Sequence, residues 1–295
     1  MRACMEVRPP GSQVAVWPAP LNVIYLGQDI IRRSVELARE YGAGWHTHCS
    51  EGQDDPETYR NAYGRSPVDW LHSEELTGPD TVLAHGVWLE DVEVEQIGSS
   101  STAVSYCPLS HEYMAIGVMR LRELRRAGAV IGLGSDGGSG FHVDHFEAMK
   151  QAILLQRVHH LDPTASTVEE GIELATREGA RAMQLDAGTI EAGRLADLAV
   201  VNLDAPHTTP NHRTVATLVY CAGPADVDMT IVGGRVIYEE GRCLLVDERD
   251  AMGAARERAK ALLERAGVKD LLEAWRDTRV AGPLAETRDQ AGHAT

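Results

Sequence analysis

The sequence predicts an α/β fold: βα units on a parallel sheet, followed by a β-rich segment and a helical tail. Three observations predict it. Short apolar runs alternate with helical patterns over the first two-thirds of the chain, the spacing of βα units. After about Asp186 the runs become β-rich and are broken by Gly, Pro and Asn. From Glu248 to about Trp275 the chain is rich in Ala, Arg, Glu and Leu, which favours helix.

Val14–Val16 reads as the first strand. A helix follows from about Asp29 to Tyr41, with Ile30, Ile31, Val35, Leu37 and Ala38 as its apolar stripe. Trp45–His48 is the second strand. Asp55-Pro56 opens a helix, with Asp as cap and Pro in the first turn, and Gly64 ends it. Ser66-Pro67 repeats the device for a helix to about Leu76, stopped by Gly78. Thr81–Ala84, Ala103–Tyr106 and Val130–Gly134 are the third, fourth and fifth strands. A helix over Val118–Ala127, closed by Gly128, joins the last two. Further helices lie near Asp144–Gln156 and from Thr167, where Thr167 and Glu170 form a capping box. Beyond Asp186, Leu198–Asn202, Thr217–Cys221, Met229–Val232 and Val236–Tyr238 read as β runs, with a hairpin turn at Gly233-Gly234. The last fifteen or so residues read as frayed.

Composition excludes several classes. The 295 residues are 43% hydrophobic and 24% charged, an ordinary globular mix. A net charge of −16 argues against nucleic acid or an anionic membrane as the main partner. No stretch approaches the roughly 20 apolar residues of a membrane helix, and Met1–Gln13 lacks the pattern of a signal peptide. The five cysteines are widely spaced with no CxxC pair, which points to a reducing cytoplasm rather than a disulfide framework.

The densest chemical cluster is Trp45-His46-Thr47-His48-Cys49-Ser50-Glu51, at the carboxyl end of a strand, where βα folds place their active sites. Residues two apart on a strand share a face, so His46 and His48 project together. Imidazole suits zinc or iron, and a carboxylate at Glu51 could move protons above the metal. His85 sits at the tip of the third strand and Asp136 at the tip of the fifth. A carboxylate can complete a His-rich metal site. Each residue also has an ordinary structural reading, and Asp136 before two glycines is a common turn residue. Their convergence on three strand ends is the stronger observation. Gly132, Gly134 and Gly137 spell the dinucleotide GxGxxG, but a loop from Gly138 to Val143 follows where that fingerprint needs a helix. His145-Phe146-Glu147 is an HxE without the downstream PCxxC of cytidine-type deaminases. His111-Glu112 and His142 fall on loops after the fourth and fifth strands, where they could face a substrate.

WHTHCSE, VLAHGV, SYCPLSH and IGLGSDGG, in this order and spacing, resemble the second half of the amidohydrolase superfamily. The branch is that of 8-oxoguanine deaminase, cytosine-type deaminases and triazine hydrolases. GTIEAGRLADLAVVNL and VDMTIVGGRVIYEEGR resemble that family's C-terminal β-sandwich segment. The resemblance implies a partial (βα)8 TIM-type barrel, about strands four to eight, over residues 14–185. It further implies a β-sandwich segment over 186–246 and a helical tail over 247–280. It implies one divalent metal, zinc or else iron, held by His48 and Asp136. Glu51 matches the proton-shuttling acid/base, His85 the histidine that orients water and substrate, and Asp136 also the group that activates the water. The implied reaction is hydrolysis of a C–N bond in a purine, pyrimidine or triazine-like heterocycle.

The sequence departs from the family in two places. The first-strand HxH, which supplies two more ligands, has no counterpart, since Glu51 and the later spacings fix His46/His48 as the fifth-strand motif. His48 and Asp136 are fewer protein ligands than a catalytic zinc usually has. A complementing N-terminal fragment, a homo-oligomer or a catalytically incomplete half is therefore the alternative expectation. Near the substrate, His111 stands where relatives often have Asn, and Gly138-Ser139-Gly140-Phe141-His142 replaces a different loop. A complete barrel takes about 250 residues, so this chain is short for a barrel and a sandwich together.

Overall fold

A computed structural model describes residues 2–7, 14–139 and 143–268. The loop around His142, the tail helix beyond 268 and the frayed end lie outside the described residues. The chain divides into two units, residues 1–236 and 237–295.

Helix α1 (Arg2–Glu6) opens the first unit. The core of the unit is a parallel sheet of four strands: β1 (Trp45–Cys49), β2 (Thr81–His85), β3 (Ala103–Tyr106) and β4 (Val130–Leu133), in that spatial order. Trp45 pairs with Thr81, Val82 with Ala103, and Ala103 with Val130, so all four strands run in step. Both faces of the sheet are covered, and the strands accordingly read as apolar runs. Trp45, Leu83, Val104 and Ile131 are buried with residues of helices α2 (Gln28–Glu40), α3 (Asp55–Tyr63), α4 (Pro67–Ser73), α5 (Asp91–Ser100) and α7 (Leu121–Ala127), and α6 (Pro108–Tyr113) precedes α7 in the chain. The Trp45 indole N–H donates to Ser34 Oγ of α2 at 2.8 Å, which satisfies the one polar atom of that buried ring.

The expected first strand is absent. Residues 14–20 have no regular structure, and one isolated parallel bridge, Asn22 to His48, lies beside β1. Pro18 and Pro20 lack the N–H that a ladder needs. Their segment therefore covers the β1 edge through carbonyls. Pro18 O accepts from the His46 N–H, Leu21 O from the His48 N–H and Pro20 O from the Thr47 hydroxyl. Ile30, expected in the apolar stripe of α2, is exposed, while Ile31, Val35 and Ala38 are buried.

Helices α8 (His145–His160), α9 (Val168–Ala175) and α10 (Arg177–Ala182) follow β4. Asp144 caps α8, and the Thr167/Glu170 box caps α9 with contacts of 2.8 and 3.2 Å. Then come β5 (Leu198–Val201), α11 (Thr214–Tyr220) and β6 (Val227–Val232). β5 and β6 pair antiparallel, with Leu198 opposite Ile231. Of the expected β run Thr217–Cys221, residues 217–220 lie in α11 and Cys221 caps it. Its β-branched residues suit a strand locally, but helical spacing buries Val219 against Met149, Ile153 and Val168, and this packing overrides propensity. Gly233 and Gly234 take φ of 56° and 77°, as a two-residue primed turn requires, and β7 (Arg235–Glu239) follows. In the second unit the end of β7 pairs antiparallel with β8 (Arg242–Cys243), and Asp247 caps α12 (Glu248–Ala266). Among the described residues no helix is long and apolar enough to cross a membrane.

One close approach sets the spacing of the helices behind β2 and β3. A Cβ on Gly98 of α5 would lie 2.1 Å from the Ala127 carbonyl oxygen at the end of α7. Gly98→Ala is expected to destabilise the chain by about 1–3 kcal/mol through overpacking. A lower denaturant midpoint at unchanged slope would be the readout.

Candidate active site

Four predicted site residues meet at the carboxyl ends of β1, β2 and β4. The burial of β1 alternates, with Trp45, Thr47 and Cys49 facing one side and His46 and His48 the other. His85 ends β2 at φ 75°, and Asp136 follows β4 at φ 50° in a 3₁₀ turn. Both lie in the left-handed region that side chains rarely adopt, and such strain collects at functional sites. His48 Nε2 is 3.7 Å from Asp136 Oδ1, and His85 Nε2 is 3.9 Å from the same oxygen. Glu51 Oε2 is 3.8 Å from His85 Nε2. One ligand atom each from His48, His85 and Asp136 lie within 4.8 Å of one another, the spacing a single ion would span.

The protein holds each group in a defined state. His48 Nδ1 contacts the Leu21 carbonyl, which can only accept, so Nδ1 carries the proton and Nε2 offers its lone pair. Ser110 donates to Asp136 Oδ2 at 2.7 Å, so that bond does not occupy Oδ1. Partial burial pushes the Asp136 carboxyl up, but the bonds from Ser110 and Ser139 and the nearby His85 and His48 outweigh it. Its pKa falls below the ordinary carboxylate value. Glu51 goes the other way: burial raises it, and Asp136 and Asp55 add to this against His48. Two carboxylates with opposed shifts are the arrangement that separates a proton carrier from a permanent anion. Asp55, expected only as a helix cap, accepts from the Glu51 and Gly52 N–H groups at 2.9 Å and so fixes the Glu51 loop. The hydroxyl of Ser110 and the backbone contact from Leu21 were likewise not foreseen.

His111 lies elsewhere than expected. It is on α6, not a loop, 1% exposed, and its Nε2 is 3.1 Å from His85 Nδ1. Pro108 at the first turn was the sequence cue for that helix. His46 stays beside the site, tilted against His48 with ring centroids 6.1 Å apart. Leu21, Asn22, Tyr25, Met114 and Ser139 join His48, Glu51 and Asp136 around an open cavity of about 190 Å³. A larger one of about 620 Å³, around Trp88, Met119 and His160, contains none of the four site residues. GxGxxG is not a nucleotide loop here. Gly132 lies inside β4, a Cβ on Gly134 would strike Ser105 Oγ at 2.3 Å, and the next helix opens only at His145.

Burial lowers His85 to about 4 and His111 to about 3, from an ordinary value of 6.5. Both rings are therefore neutral when folded and free to protonate when unfolded. The stability they confer is complete above pH 6.5 and is lost as pH falls through about 4 and about 3. The melting temperature of the metal-free chain should drop between neutrality and about pH 5. His111→Gln should flatten part of that slope.

The chain matches the amidohydrolase family over residues 11–237. It is 37% identical over 239 residues to a 5-methylthioadenosine/S-adenosylhomocysteine deaminase of Pelotomaculum thermopropionicum, covering 80% of this chain and 55% of the relative. It is 35% identical over 251 residues to a 5′-deoxyadenosine deaminase of Methanothermobacter thermautotrophicus, covering 85% and 59%. The fold superposes on a Xanthomonas campestris adenosine deaminase solved with bound zinc, with TM-score 0.78, 26% identity, and 82% of this chain and 56% of that one covered. The chain spans about half the length of the curated relatives it matches. With more than two-thirds of its residues inside the family match, the chain belongs to the amidohydrolase family.

Proposed function

We propose that the chain carries the metal- and proton-handling half of a hydrolytic deaminase acting on a purine nucleoside of the 5′-modified adenosine type. The observation that carries this is the meeting of His48, Glu51, His85 and Asp136 at three adjacent strand ends. The substrate class rests on relatives named for 5-methylthioadenosine, S-adenosylhomocysteine and 5′-deoxyadenosine. In this reading β1–β4 are late strands of a (βα)8 barrel within residues 14–185, 186–246 is the sandwich segment and 247–280 the tail.

The residues fit a divalent ion, zinc or else iron. His48 Nε2 is freed by the bond at Nδ1, and Asp136 Oδ1 is unshared with Ser110. His48 and Asp136 would hold the ion. When bound, it would supply a Lewis acid that lowers the pKa of water toward neutrality.

The chain's own residues do the rest. The oxygen of water ends on the ring carbon that carried the amino group, and the C–N bond breaks. One proton of that water ends on the adjacent ring nitrogen and the other on the departing ammonia. Glu51 is the carrier, because its raised pKa lets it hold a proton between the two transfers. Asp136, kept anionic, favours loss of the first proton from water. His85 orients water and substrate from the floor of the site.

Incubation of the zinc-loaded chain with 5′-methylthioadenosine tests this. Ammonia should appear in equal amount to the oxo-purine product and stop on chelation. Zinc-loaded, folded chain that releases no ammonia from any adenine nucleoside would overturn it.

A further inference from the structure

We propose that His111 is a positioning residue: its Nε2–H donates to His85 Nδ1 and so fixes a proton on His85 Nε2. This makes His85 the hydrogen-bond donor of the cluster rather than a third metal ligand. The inference rests on the deaminase reading above and names how one residue of that site is set.

The contact between His85 Nδ1 and His111 Nε2 is 3.1 Å and holds one hydrogen, given by one ring or the other. The choice decides the far nitrogen of both rings. Those two atoms, His85 Nε2 and His111 Nδ1, are buried and have no hydrogen-bond partner. If His85 gave the hydrogen, His111 Nδ1 would carry a buried N–H with no acceptor. His85 Nε2 would then turn a lone pair toward Glu51 Oε2 and Asp136 Oδ1, at 3.8 and 3.9 Å. If His111 gives it, the orphan on His111 is only a lone pair, and His85 presents an N–H to two carboxylate oxygens. The first arrangement leaves the N–H of His111 Nδ1 with no acceptor and turns a lone pair toward two anions, whereas the second places the unbonded N–H on His85 Nε2, where the two carboxylate oxygens attract it.

The surroundings hold the pair in place. His111 is fixed on α6, with its ring 5.6 Å from the buried Tyr106 ring by centroids. His111 is 1% exposed and lies outside the walls of the cavity beside Glu51 and Asp136. Its route to the chemistry is through His85. The distances of 3.8 and 3.9 Å are too long for direct bonds to the carboxylates. They leave the His85 N–H for a water or a substrate atom seated between Glu51 and Asp136.

The test is nitrogen NMR on the full chain with isotope-labelled histidine rings, with His85→Asn used to identify the His85 signals. Metal-free protein should show protonated Nε2 on both His85 and His111. A proton on His85 Nδ1 would overturn the proposal with no variant needed. On adding zinc, His48 Nε2 should shift while His85 keeps its Nε2 proton, and loss of that proton would overturn the proposal. His111→Gln retains an N–H donor and should behave as the parent. His111→Phe retains none, so zinc should now displace the His85 Nε2 proton. Retention of the proton in His111→Phe would show that something other than His111 fixes it. These readouts need no turnover. A failure of zinc to bind or of ammonia to appear therefore counts against the deaminase reading, while the metal-free tautomer still decides the His111 proposal.

Discussion

Glu51→Gln is expected to lower ammonia release by about 10²–10⁴-fold, the usual contribution of a positioned general acid–base group. The amide keeps the size and the loop of the carboxylate but cannot carry a proton. The loop itself is anchored by Asp55, which accepts from the Glu51 and Gly52 N–H groups and does not depend on the side chain at 51. KM and the melting temperature should therefore stay near the parent values while kcat collapses. A parallel loss of melting temperature would assign Glu51 to structure. The parent should also lose kcat/KM on the acid side through a pKa above the ordinary carboxylate range, because burial raises Glu51 and its base form is populated only above that value.

Asp136→Asn is the second large effect. The carboxylate is drawn toward two imidazoles through Oδ1 and is held by the Ser110 hydroxyl through Oδ2. Asparagine can retain the Ser110 bond but offers no anion to a divalent ion. Zinc affinity should fall by more than the ~10–100-fold typical of losing an outer partner of a ligand. Ser110→Ala, which removes such a partner, should fall within that range. Zinc titration of both variants, followed by calorimetry, measures the two losses. Equal affinities for Asp136→Asn and the parent would remove Asp136 from the metal site.

The sheet was legible because its strands are buried on both faces and read as apolar runs closed by polar residues. Those polar ends, His48 with Glu51, His85 and Asp136, are the groups that the fold brings together. The segment around Val14–Val16 was misread because two prolines turn an apolar run into a carbonyl-only edge cover. Thr217–Cys221 was misread because β-branched residues also suit a helix buried on one side. Asp55 and Ser110 were missed as site residues because each reads locally as an ordinary helix residue. Only the tertiary fold brings Asp55 under the Glu51 loop and Ser110 under Asp136. The sequence places His111 on a loop after β3, and the structure puts it instead on α6, against His85.

His48 and Asp136 are proposed to hold one divalent ion at the ends of these strands. X-ray absorption at the zinc edge of the zinc-loaded full chain tests it most directly. One zinc per chain, with nitrogen and oxygen neighbours, outer-shell imidazole scattering and no sulfur, is the predicted result, and His48→Ala should abolish it. Sulfur scattering from a cysteine, or an imidazole signature unchanged in His48→Ala, would contradict the account.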